Sequence, residues 1–72
     1  MKLIDFLLKE CYQELRQINA NATSNDPCIW MNQIDDGIAR LAYKLQEDEE
    51  PAVEGLDFEK LCNEIDRALC SL

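Results

Sequence analysis

Residues 31–45 read MNQIDDGIARLAYKL, and their spacing decides the fold. Met31, Ile34, Ile38, Leu41 and Leu45 are separated by 3, 4, 3 and 4 positions. That interval keeps every apolar side chain on one stripe of an α-helix, whereas a half-buried strand would alternate. The stripe recurs upstream in Ile4, Leu8, Cys11, Leu15 and Ile18, and downstream in Phe58, Cys62, Ile65, Leu69 and Leu72. Leu3, Leu7 and Leu61 widen it. Cys11 and Cys62 thus fall on core positions, where a free cysteine behaves as a small apolar residue.

The segments between the stripes are helix-breaking. NANATSNDP, residues 19–27, is rich in side chains that compete for backbone hydrogen bonds, and it ends in Asp26-Pro27. Asp26 suits the N-cap of the second helix and Pro27 its first turn. EEPAVEG separates the second helix from the third. There Asp57 is a good N-cap, and Leu56 can staple to Leu61. Helices are therefore expected near 2–19, 27–47 and 58–70. Short connections make neighbours antiparallel. The expectation is an all-α, up-down-up, antiparallel three-helix bundle forming one domain over residues 1–72, or else a helical hairpin that completes its core by dimerising. Gly37, inside the second helix, is either tolerated at about 1 kcal/mol relative to alanine or marks close helix–helix contact beside Ile38.

A 72-residue chain that is 47% hydrophobic, with two glycines and two prolines, has globular composition. At this size the core supplies only about 3–5 kcal/mol, which makes self-association plausible. No segment is long and apolar enough to span a membrane, and LIDFLL is too short and too acidic for a signal-peptide core. The protein is expected to be cytoplasmic. Asn21-Ala22-Thr23 fits the glycosylation sequon, a fortuitous match without a secretory signal. Cys11, Cys28, Cys62 and Cys70 show no zinc-site spacing, and the chain has no histidine. They are read as reduced thiols.

The net charge is −8 and lies mostly in the last third of the chain. From Leu45 to Leu61, Glu47, Asp48, Glu49, Glu50, Glu54, Asp57 and Glu59 face Lys60 alone. A calcium loop does not fit. Counted from Asp48, the required glycine is replaced by Val53, and with Leu56 in the apolar eighth place the twelfth position is Lys60 rather than a bidentate glutamate. General acid–base catalysis needs a carboxylate desolvated in a pocket. A bundle this small offers little interior, and no nucleophile pairs with a base. No catalysis, cofactor or metal is expected.

The helix dipole divides these acids. Glu54, Asp57 and Glu59 lie at the start of the third helix, where negative charge is favourable by about 0.3–1 kcal/mol each. Glu47, Asp48, Glu49 and Glu50 lie at the end of the second, where each is mildly unfavourable and all four repel one another. Folding does not require that cluster, which is either a solvated, frayed helix end that aids solubility or a negative contact surface for a basic partner. Off the stripe, Phe6 is expected to point away from the seam. Ile29 and Tyr43 share a face with Asp36 and Arg40, and Trp30 lies at the edge of the stripe.

These features lead to one functional expectation. The chain is a non-catalytic acidic binding protein that docks on, and inhibits or regulates, a basic partner, most naturally a nucleic-acid-binding protein. Helical carboxylates spaced about 5–6 Å apart can act as a DNA mimic, the strategy of small phage-encoded inhibitors of host defence or transcription. It is expected to bind neither nucleic acid nor membrane directly. The expected contact residues are Phe6, Asp36, Tyr43, Glu47, Asp48, Glu49 and Glu50. The alternatives are a homodimeric structural or assembly protein joined through its Phe6 and Tyr43 faces, and an immunity or antitoxin-like protein neutralising a basic toxin.

Overall fold

Asp26 and Asp57 cap helices as their positions require. In a computed structural model describing residues 2–72, Asp26 Oδ1 accepts from the Cys28 and Ile29 N–H groups at 2.9 and 3.4 Å. Asp57 Oδ1 accepts from the Lys60 N–H at 2.8 Å. Each satisfies donors that the first turn leaves without intrahelical partners. The helices are α1 (Leu3–Glu10), α2 (Tyr12–Asn21), α3 (Pro27–Glu47) and α4 (Phe58–Cys70), with a 3₁₀ turn at Pro51–Val53 between the last two. No strand occurs among the described residues.

The expected first helix is two helices. The chain bends at Cys11, whose φ of −111° and ψ of 19° leave the helical region. The ladder is only partly interrupted: the Cys11 N–H donates to Leu7 O at 3.0 Å, and the Leu15 N–H donates to Cys11 O at 2.9 Å. No proline or glycine causes the bend. Its effect lies in the packing, since α1 lies against α4 and the 3₁₀ turn while α2 lies against α3 and α4. Two short segments follow those different neighbours where one straight rod would have to choose. The expected three-helix bundle is thus a bundle of four helices in three antiparallel passes.

One hydrophobic cluster joins the passes. Leu7, Leu15, Leu61 and Ile65 are fully buried, together with Ala42 and Ala68, and the core includes no polar or charged residue. The core differs from the expected stripes in four places. On α1, Leu7 is fully buried, while Ile4 and Leu8 are only half-buried. On α4 the buried face is Leu61, Ile65 and Ala68, while Phe58, Cys62 and Leu69 are only half-buried. The buried face keeps Ile65 and is displaced by about 50°, because the wide apolar face of the helix serves α1, α2 and α3 together. Met31 and Leu72, assigned to the stripe, are exposed. Val53, in a segment read only as a separator, is buried against the core.

Gly37 is a site of close approach. A β-carbon there would stand 2.9 Å from both γ-carbons of Ile18 and 3.3 Å from its Cβ, inside ordinary contact distance. α2 and α3 meet here because position 37 has no side chain, which settles the reading of that glycine in favour of helix contact.

Candidate partner-binding surface

α3 ends inside the acidic run, and its end has a defined geometry. Asp48 is the C-cap, and Glu49 adopts the left-handed region with φ of 53°. The Glu49 N–H donates to Gln46 O and the Glu50 N–H to Leu45 O, both at 3.2 Å. This is the Schellman arrangement, which usually places glycine where Glu49 stands. The cluster is therefore the terminus of an ordered helix, not a frayed tail. Gly55, with φ of 83°, supplies the second left-handed position as the chain turns toward α4.

Glu47, Asp48 and Glu49 are exposed and Glu50 is half-buried. Among the described residues, none of the four forms an ion pair. The pairs present are Arg40 with Asp36 at 3.0 Å, Lys44 with Glu14 at 3.8 Å, and Arg67 with Glu64 at 3.3 Å. All lie at the surface, with only Glu14 and Glu64 half-buried, and contribute little to stability, about 0–1 kcal/mol each. Their effect on the surface is greater, because each neutralises a carboxylate elsewhere and leaves the end of α3 uncompensated. Glu49, Glu50 and Glu54 border a shallow depression with Gln46 and Val53.

The remaining expected contact residues divide. Tyr43 is exposed one turn before Glu47, and its ring lies 4.6 Å from that of Phe58 at an interplanar angle of 37°. That tilted contact ties the end of α3 to the start of α4 and holds the phenol beside the acids. Asp36 is not part of this end. It is eleven residues before Glu47, about 16 Å along the helix, and is paired with Arg40 on a groove of about 450 Å³ between α2 and α3. Gln13, Gln17, Asn21 and Gln33 also line that groove. Phe6 does not point away from the seam. It is half-buried against the core, because α1 is covered by both α4 and the 3₁₀ turn rather than along a single stripe.

The four thiols are free. Cys11 is buried and Cys62 half-buried, while Cys28 and Cys70 are exposed. Burial raises the Cys11 pKa, with Glu14 adding to the effect, and burial followed by Asp35 raises that of Cys62. Both are thereby less nucleophilic than a free thiol. Among the described residues, no group of three Cys, Asp or Glu side chains is placed to hold a metal ion, and no helix is long and apolar enough to cross a membrane.

Sequence reasoning placed Ile29 off the stripe and Trp30 at its edge, but set Met31 on the stripe, and the three are exposed together. Ile29, Trp30 and Met31 are 52%, 41% and 50% exposed, so the first two turns of α3 carry apolar side chains into solvent.

No protein-family model matches the chain, and neither a curated protein nor a solved structure is significantly similar to it.

Proposed function

We propose that the protein is a non-catalytic acidic helical binding protein that docks the end of α3 on a basic surface and blocks or regulates it. One observation carries this reading: Glu47, Asp48, Glu49 and Glu50 are held in an ordered helix terminus without a cationic partner in the chain among the described residues. Four carboxylates at the negative end of a helix dipole oppose folding, so their electrostatic energy is available for a binding partner to relieve. The partner class is a lysine- and arginine-rich surface, best represented by the phosphate site of a nucleic-acid-binding protein, with the acids standing in for phosphates as a DNA mimic does. Tyr43 supplies an aromatic contact beside them, the residue type enriched where interfaces concentrate their energy. An antitoxin-like role uses the same surface on a different basic target.

The test is capture of partners from a host lysate at low and high salt, followed by competition with duplex DNA. Retention should weaken steeply with salt and fall when the four acids are changed together to Gln and Asn. Duplex DNA should displace the protein. Salt-independent retention, or retention unaffected by the four substitutions, refutes the proposal.

A further inference from the structure

The groove between α2 and α3 lies apart from the acidic end and has a chemistry of its own. Its volume, about 450 Å³, is that of a ligand site. Gln13, Gln17 and Asn21 border it from α2 at intervals of four, which places them on one ridge of the helix. All three are exposed, and no hydrogen bond to another described residue engages their side chains. Gln33, Gly37 and Leu41 border the groove from α3 with the same interval. Gly37 adds no side chain to the middle of that row, so the centre of the groove stays open while the contact with Ile18 holds the helices close. Ile18 and Leu41, both buried, form an aliphatic floor.

The charges around this groove are already matched. Asp36 pairs with Arg40 at 3.0 Å, and Glu14 with Lys44 at 3.8 Å. A charged ligand thus meets no uncompensated opposite charge, and a phosphate is repelled by a chain of net charge −8. Gln33 Oε1 is also engaged, accepting from the Thr23 and Ser24 N–H groups, both at 3.1 Å. What remains is the row of amides on α2, each with two N–H donors and a carbonyl acceptor. Their complement is a neutral group that carries both a donor and an acceptor, as a peptide unit does. Spacing narrows the choice further. Helical rise sets successive amides about 6 Å apart, in a row about 12 Å long. In an extended chain, peptide groups on one side recur every two residues, about 6.6–6.8 Å. Three amides therefore meet three successive peptide groups with a mismatch of about 1–2 Å over the whole row, which a glutamine rotamer absorbs. A single ring meets only one interval of the row, and a helical partner has its backbone groups already bonded internally.

We propose that the groove between α2 and α3 is a binding site for an extended peptide segment, recognised through its backbone by Gln13, Gln17 and Asn21. About four residues span the row. Their floor-facing side chains meet Ile18, Gly37 and Leu41 and are small and uncharged. Three neutral amides in an open groove give weak, reversible binding, with a Kd of about 0.1–1 mM. The site does not depend on what the acidic end of α3 binds.

The probe is a pentapeptide of Thr, Ser and Val, blocked at both termini and titrated to about 5 mM into the ¹⁵N-labelled full chain. The side-chain amide resonances of Gln13, Gln17 and Asn21 should shift together on one binding curve, and added salt should leave that curve unchanged. The same peptide with every backbone nitrogen methylated keeps its side chains but loses its donors, and should bind at least roughly tenfold more weakly. Gln13→Ala/Gln17→Ala alters only exposed positions. It should keep its helical circular dichroism and weaken binding by a similar factor. Glu47→Gln/Asp48→Asn/Glu49→Gln/Glu50→Gln should bind the peptide as the parent does, so the groove and the acidic end can fail independently. The inference is overturned by amide resonances that do not move by about 5 mM peptide, by equal binding of the methylated peptide, or by binding indifferent to Gln13→Ala/Gln17→Ala. Binding lost with salt or with the four acids, or a soluble cello-oligosaccharide that moves the same resonances at lower concentration, overturns it equally.

Discussion

Replacing Gly37 with alanine separates two views of the α2–α3 contact. In a solvent-facing helix the change is stabilising by about 1 kcal/mol, because alanine is the better helix former. Here the added β-carbon would stand 2.9 Å from two carbons of Ile18 and 3.3 Å from a third. Those carbons cannot easily withdraw: Ile18 is buried and β-branched, so the clash lies at the root of a stiff side chain. Overpacking of this kind costs about 1–3 kcal/mol. Set against the propensity gain, the net effect is a loss of about 1 kcal/mol, or a midpoint lowered by about 4–8 °C in a domain of this size. Urea and thermal unfolding followed at 222 nm measure it. The contact itself is isolated by repeating the substitution in an Ile18→Leu background, where branching moves away from the β-carbon at similar volume. There Gly37→Ala should become neutral or stabilising, with a coupling of about 1 kcal/mol. A Gly37→Ala protein more stable than the parent would refute the close-contact account.

Four further outcomes test other features. Glu49→Gly should stabilise the protein by about 1 kcal/mol in urea unfolding, by relieving a left-handed residue and removing a carboxylate from the negative end of α3; destabilisation would contradict the Schellman geometry. Val53→Ala should cost about 1–2.5 kcal/mol although it lies between helices, because it empties a buried site; an effect near zero would remove the 3₁₀ turn from the core. A thiol reagent at neutral pH should modify Cys28 and Cys70 first, Cys62 more slowly and Cys11 only on unfolding. The raised Cys11 pKa makes its neutral form more favourable in the folded than in the unfolded state. Its stabilising share is therefore full below the ordinary thiol value of 9.0 and is lost as pH rises through the higher folded-state value. Cys11→Ala should flatten the alkaline decline in stability, and an unchanged decline would count against burial as its cause.

How far the fold was legible depended on whether its causes were local. α3 and α4 begin where Asp26-Pro27 and Asp57 place them, since capping is a contest between side chain and backbone within a few residues. The bend at Cys11 has no such local cause: Glu10, Cys11 and Tyr12 are compatible with a continuous helix, and only the need of α1 and α2 to meet different neighbours distinguishes position 11. Val53 was hidden for a related reason. A single apolar residue between Pro51 and Gly55 has no periodicity to read, and it becomes core only because the 3₁₀ turn folds back on α1. The acidic end was visible as composition, but its order was not, because glutamate in a left-handed C-terminal position runs against propensity. Phe6 and Met31 were misplaced by the same assumption, that one angular stripe describes burial along an entire helix. Burial depends also on where the neighbouring helices stop.

That dependence explains why the chain divides its surface by ends rather than by faces. α3 is 21 residues long and α4 is 13, and the first two turns of α3 leave Ile29, Trp30 and Met31 exposed. The five segments connect in the order that puts the sparsely charged loop of residues 22–26 at one end and the acidic turn at the other. Like charges in the turn gain nothing from the bundle, and the apolar residues at the start of α3 gain little. Each group is nevertheless held in an ordered helix terminus, one by a Schellman closure and the other by an aspartate cap braced by Gln33. A chain selected for stability alone would place Lys or Arg after Lys44 and polar residues at 29–31, changes that leave the core untouched. The departure from that optimum lies at the two ends of α3, and binding of a basic surface would relieve it at the acidic one.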